Sequence, residues 1–244
     1  MSTARIRAVF RKELRDFRRN RFIVSTMAVL PLVFMVLPMV EIFTMPAGVA
    51  TDVLDKRIGL AMLYMLVVPA VVPASISAYS VVGERDQGTL EPVLTTPVRA
   101  EEFLVGKALA ALLPTLAISY AMFGVFLGCA ELFAQPAVGT AALRGPQLLA
   151  QLLFTPLVAG WSIWAVIAIS ARVSDVRVAQ QLGTLASLPP LAVSSLMSFD
   201  VIQPTLRLAV ALAAVLLVID GLGWRAVAAV FDRERLITGS SALR

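Results

Sequence analysis

The chain has no histidine and a single cysteine, Cys129. Without an imidazole, neither a histidine-held zinc ion nor a Ser-His catalytic pair can be built, and one thiol cannot close an internal disulfide. Charge is scarce as well: Asp, Glu, Lys and Arg supply 15% of the 244 residues, while 59% are hydrophobic. A soluble domain of this size carries about 25% charged and about 45–50% apolar residues. The composition is therefore that of a polytopic membrane protein. No polar stretch exceeds about 25 residues, too little for a second soluble domain, and there is no internal repeat or low-complexity tract.

What charge there is falls unevenly. In residues 4–19, Ile6, Val9, Phe10, Leu14 and Phe17 recur at helical spacing, with Arg5, Arg7, Arg11, Lys12, Arg15, Arg18 and Arg19 over the remaining surface. This pattern predicts an amphipathic helix within residues 1–21, lying against anionic lipid headgroups. The apolar run from Phe22 follows eight basic residues and is not followed by a small-residue cleavage site, so a retained span is expected and not a removed signal peptide.

Apolar runs long enough for about 30 Å of hydrocarbon place spans at about 22–43, 58–82, 108–133, 148–170, 182–198 and 205–225, in a single all-α transmembrane domain covering residues 1–244. Between them lie a polar loop at 83–107 and a tail at 226–244. The fifth run, LGTLASLPPLAVSSLM, is interrupted by Pro189 and Pro190 and is expected to be kinked, tilted or partly re-entrant. With six crossings, 17 Lys and Arg residues fall on one side and four (Lys56, Arg57, Arg144, Arg207) on the other. The positive-inside rule then puts both termini in the cytoplasm, and a multi-pass protein of the cell inner (plasma) membrane is expected. Five crossings would place the arginines of the tail outside.

Several residues inside the spans are candidates for more than packing. Pro69 and Pro73 lie four apart and predict a kink. Ser75, Ser77 and Tyr79 follow them, placed either to satisfy freed carbonyls or to line a passage. Gly124 and Gly128 form a Gly-x-x-x-Gly spacing suited to close helix packing, read first as intramolecular. Trp161 and Trp164 lie in mid-span, away from the interfacial belts, as pathway-lining or core residues. Asp220 is the acid clearly within an apolar run, a few residues before Trp224 and Arg225, where snorkelling or pairing with arginine is expected before ion handling. Cys129 reads as a packing residue.

The longest polar interruption is Gly83–Lys107, with eight charged side chains and Pro92 and Pro97 as punctuation. Thr89 is placed to cap a short helix in which Leu90, Val93 and Leu94 share a side and Glu91 sits near the positive end. Thr96-Pro97 gives a second start signal, followed by Glu101 and Glu102. A helix, a break and a helix with an apolar edge are expected.

The pattern E-R-x-x-G-T-L-E-x-x-L-x-T-P-V-x-x-x-E-x-x-x-G-K over Glu84–Lys107 resembles the corresponding loop of type-two ABC exporter permeases. The basic start RKELRDFRRNR, the segment ARVSDVRVAQQ and the tail FDRERLITG extend the resemblance over nearly the whole chain. It implies a six-span subunit that dimerises with itself or a paralogous permease, works with two soluble ABC ATPase subunits, and exports its substrate. It also implies that the first cytoplasmic loop, between spans two and three, holds a coupling helix docking on the ATPase, with the N-terminal helix packed beside it. Carried onto this chain, the coupling residues are Glu84, Gly88, Thr89, Leu90, Glu91, Val93, Leu94 and Pro97. Pro92 and Arg99 depart from the helix-friendly or small residues usual there.

The chain has no nucleotide site of its own. Gly83-x4-Gly88-Thr89 mimics the glycine spacing of a P-loop but lacks its lysine and does not follow a buried strand. No cofactor is expected in this chain, and ATP and Mg²⁺ belong to the partner ATPase. Two alternatives are less well supported. An intramembrane enzyme has no histidine or paired membrane acids to use, and Ser162 has no evident base. An ATP-independent channel or secondary transporter would be expected to show internal repeats or a charged midplane site. Membrane lipid is an expected partner and nucleic acid is not.

Overall fold

The computed structural model describes residues 2–46, 48–86, 99–198 and 206–230. These form nine helices: α1 (Thr3–Arg19), α2 (Arg21–Phe43), α3 (Thr51–Asp86), α4 (Ala100–Phe133), α5 (Pro136–Ala142), α6 (Gly145–Ser170), α7 (Val176–Ala186), α8 (Leu188–Ser198) and α9 (Leu206–Val230). Among the described residues α2, α3, α4, α6 and α9 are long and apolar enough to cross a membrane.

The first corner follows from one residue. Asn20 leaves helical geometry, with φ −86° and ψ 106°, and its side-chain oxygen accepts from the Phe22 and Ile23 amides, which begin α2 with no partner of their own. This cap lets α1 stop and α2 start without an intervening loop. Asp175 likewise caps α7 through the Arg177 and Val178 amides, after a short turn at 171–174.

α3 and α4 are longer than the expected spans. At 36 and 34 residues they measure roughly 50 Å each at a rise of 1.5 Å per residue, against about 30 Å of hydrocarbon. Residues 83–86 and 100–107, expected to belong to the polar loop, are therefore helical extensions of the bundle. α4 opens after Arg99, which has extended backbone (φ −72°, ψ 149°), while the start signal at Thr96-Pro97 lies outside the described residues.

The fifth expected span differs more. It is two helices of 11 residues, α7 and α8, broken at Ser187. Each reaches roughly 16 Å, too little to cross alone. Proline accounts for the break: Pro189 and Pro190 have no N–H to donate to the carbonyls of Leu185 and Ala186.

The packing has two ends. At one, Val9 and Phe17 of α1, Val81 of α3, Phe103 and Leu104 of α4, Ile167 of α6 and Val227 of α9 share a core. At the other, Ile42, Leu54, Ile58, Phe126 and Val138 bring together the end of α2, the start of α3, the end of α4 and α5. Between them Leu66, Ala70, Phe154, Val158 and Ala213 pack with Leu191 of α8. α3 lies at the centre, while α2 and α9 turn exposed Leu32, Val33, Val36, Leu217, Val218 and Leu222 outward. Apolar side chains outside and buried hydroxyls within suit a lipid surround. Among the described residues the Gly124–Gly128 pair meets no neighbour: a Cβ added at either would have nothing within 4 Å, so it packs against none of these helices.

Candidate functional site

α1 is joined to the start of α4 by a charge inside the interface. Val9, Glu13 and Phe17 are its buried residues and fall on one face at i, i+4, i+8. Glu13 Oε1 accepts from Lys107 Nζ at 2.8 Å, with both side chains only 2–3% exposed. The same ammonium lies 4.8 Å from the centroid of the Phe103 ring, within cation–π range. One turn nearer the start of α1, an added Cβ on Gly106 would lie 2.7 Å from Val9 Cβ. The glycine is thus what allows the two helices to approach closely enough for the ion pair.

Glu102 ties the two helix starts together. Its carboxylate accepts from the Ser2 amide at 2.6 Å and the Arg99 amide at 3.2 Å, with Arg5 at 3.5 Å. Amides at two helix N-termini, otherwise unpaired, thereby share one anion. Lys12 bridges Glu13 and Asp16 at 3.2 and 3.4 Å on the outer side. With charge, cap and close packing all bridging the same contact, α1 and the first two turns of α4 form a single rigid corner.

This corner ends the stretch expected to receive a partner. Of the eight candidate coupling residues, Gly88, Thr89, Leu90, Glu91, Val93, Leu94 and Pro97 lie outside the described residues, and Glu84 falls in the last turn of α3. Both described flanks of the loop, Val81 in α3 and Phe103 in α4, belong to the core that contains α1.

A second group of polar contacts holds the broken helix pair. The Trp161 indole N–H donates to the Ala186 carbonyl at 2.7 Å, the acceptor that Pro190 leaves without its helical donor. The Ser187 hydroxyl, at the break, is within hydrogen-bonding distance of Ser162 Oγ at 3.1 Å, and Ser162 donates to the Ala70 carbonyl at 2.6 Å. Gln180 donates to Ser75 Oγ at 2.8 Å. An added Cβ on Gly183 would overlap Val166 Cγ2, so α7 needs this glycine to lie against α6.

The five pathway candidates do not share one cavity. Ser75 is engaged by Gln180, Ser77 is buried with no hydrogen-bond partner among the described residues, and the Tyr79 ring faces Phe22 at 6.3 Å. Trp161 and Trp164 meet edge to face at 5.0 Å, but their N–H groups diverge: Trp161 holds α7, while Trp164 donates to Asp220 Oδ1 at 2.9 Å. Trp164 alone of the five lines the cleft between α4, α6 and α9.

The Glu13–Lys107 pair, Gln180 and Ser187 were not singled out by pattern reading. Glu13 did carry a signal, being a carboxylate on the apolar stripe between Val9 and Phe17. Among the described residues no group of three or more Asp, Glu or Cys side chains is arranged to hold a metal ion. Residues 7–232 match the family model described as ABC-2 family transporter protein. No curated protein matches the chain.

Proposed function

The chain belongs to the ABC-2 transporter family and is a transmembrane ABC transporter permease, and from that premise we propose that it is the pathway-forming subunit of an ATP-driven exporter. Two copies, or one copy and a paralogue, form the pathway, and soluble ABC ATPases hydrolyse ATP with Mg²⁺. Each subunit crosses the membrane six times, with α7 and α8 together as the fifth crossing. The basic end faces the cytoplasm, with α1 at the headgroups.

One observation carries the coupling part of this reading: the loop's two flanks and α1 share a core, and α1 is locked to α4 by the buried Glu13–Lys107 pair. A push delivered between residues 87 and 98 would meet this corner first. α4 continues from the corner as one helix to Phe133, so displacement at its start is carried along a membrane span. The ATPase must bind the loop differently in its two nucleotide states, since a partner that bound both equally would shift nothing.

Copurification with the cognate ABC ATPase tests the assignment. Leu94→Asp and Glu91→Arg are expected to release the ATPase and lower transport-linked ATP hydrolysis at least tenfold. Hydrolysis and complex formation surviving both changes would show that the loop is not the docking element.

A further inference from the structure

Between α4, α6 and α9 lies a cleft of about 260 Å³, lined by Leu109, Leu112, Ile163, Trp164, Trp224 and Asp220 among others. Its walls are apolar or aromatic except for one carboxylate. Asp220 Oδ1 accepts from the Trp164 indole at 2.9 Å, and no cation pairs with this carboxylate among the described residues. Arg225, five residues further along α9, is exposed. Of the two expectations for Asp220, snorkelling or pairing with an arginine, no arginine pair is present among the described residues, and Arg233, Arg235 and Arg244 lie outside them. Its second oxygen lies beside Gly160, where an added Cβ would come within 3.3 Å of it.

An acid held in an apolar groove by an indole of α6, with a second indole of α9 in the lining, has a definite complement. Intramembrane carboxylates are costly and characteristically pair or face a pathway. A strongly hydrated small ion would lose its water here for one carboxylate, with no further oxygen ligands on the walls. A bulky organic cation gives up less hydration, covers the apolar walls with its body and meets the faces of tryptophan, the strongest cation–π partner. The cleft opens among the starts of α4 and the ends of α6 and α9, the end that carries α1.

We propose that this cleft binds amphipathic organic monocations, with Asp220 as counter-ion and Trp164 and Trp224 as aromatic walls. This rests on reading the chain as a permease and supplies the class of molecule presented to it from the basic end. The charge of Asp220 matters more than its shape, because Asn at this position can still accept from Trp164.

The chain's three tryptophans are Trp161, Trp164 and Trp224, so intrinsic fluorescence reports on the cleft directly. Purified permease in lipid nanodiscs, without ATPase or nucleotide, is titrated with benzyltrimethylammonium and with its neutral carbon isostere neopentylbenzene. Saturable quenching is expected for the cation, with the isostere at least tenfold weaker. Asp220→Asn is expected to weaken cation binding at least tenfold and Asp220→Glu to keep it within about threefold. Equal binding of cation and isostere to the unaltered protein, equal binding to Asp220→Asn, or no saturable response overturns the proposal. A second copy covering the cleft would give that last result. Because the titration omits the ATPase, its failure would remove the cleft as a site and leave the coupling loop standing.

Discussion

Glu13 sets the terms at the scale of single residues. A carboxylate and an ammonium buried together are held by mutual attraction against a large desolvation cost, so removing one takes from the other its shortest ion pair. Lys107→Met is expected to destabilise the protein by about 3–5 kcal/mol, read as a lower unfolding midpoint in detergent. Glu13→Leu combined with Lys107→Met should recover most of that loss, since an apolar pair of similar volume fits the same interface. If each single change costs less than about 1 kcal/mol, as exposed ion pairs do, the corner is not held by this pair. The double variant also separates stability from function: a stable but weakly coupled transporter would give the charges themselves a role in transmission.

Among the elements, the α7–α8 break shows how a helix is interrupted without leaving buried polar groups unmade. Pro190 removes the donor for the Ala186 carbonyl, and Trp161 reaches in from α6 to replace it. Trp161→Phe should therefore cost about 1–3 kcal/mol, the penalty of an unsatisfied buried acceptor. In a Pro190→Ala background the chain regains its own N–H, and the same change should cost markedly less. Equal costs in both backgrounds, measured by a double-mutant cycle, would mean that the indole does not substitute for the missing donor. The interruption was legible in the Pro189-Pro190 dipeptide, and the five long helices in the apolar runs, but not the lengths by which α3 and α4 extend beyond those runs. The residues that hold the break were not. Trp161 and Ala186 are 25 apart in sequence and Gln180 and Ser75 are 105 apart, and periodicity reports which face is apolar without reporting which distant helix it meets. For the same reason Val9 and Phe17 marked the buried face of α1, while the partner of Glu13 lay 94 residues away.

For the whole molecule the decisive property is polarity along the bundle axis. At the end opposite α1, two of the few basic side chains are matched by acids: Arg144 with Asp55 at 2.6 Å and Arg57 with Glu41 at 3.8 Å. At the α1 end, Arg7, Arg11, Arg15, Arg18 and Arg19 remain exposed, available to anionic headgroups at about 1 kcal/mol each. The positive-inside count rests on these same basic residues, and the described flanks of the polar loop, Val81 and Phe103, lie at the same end as the cleft. Site-specific photo-cross-linking tests this most directly. A photoreactive residue is placed at Leu94, in the loop, or at Val53, at the opposite end of α3, in cells that co-express the cognate ABC ATPase. A cross-link from position 94 to the ATPase that changes with trapped nucleotide is expected, and none from position 53. A cross-link from position 53, or none from position 94 in an assembled complex, would contradict the proposed docking at the loop.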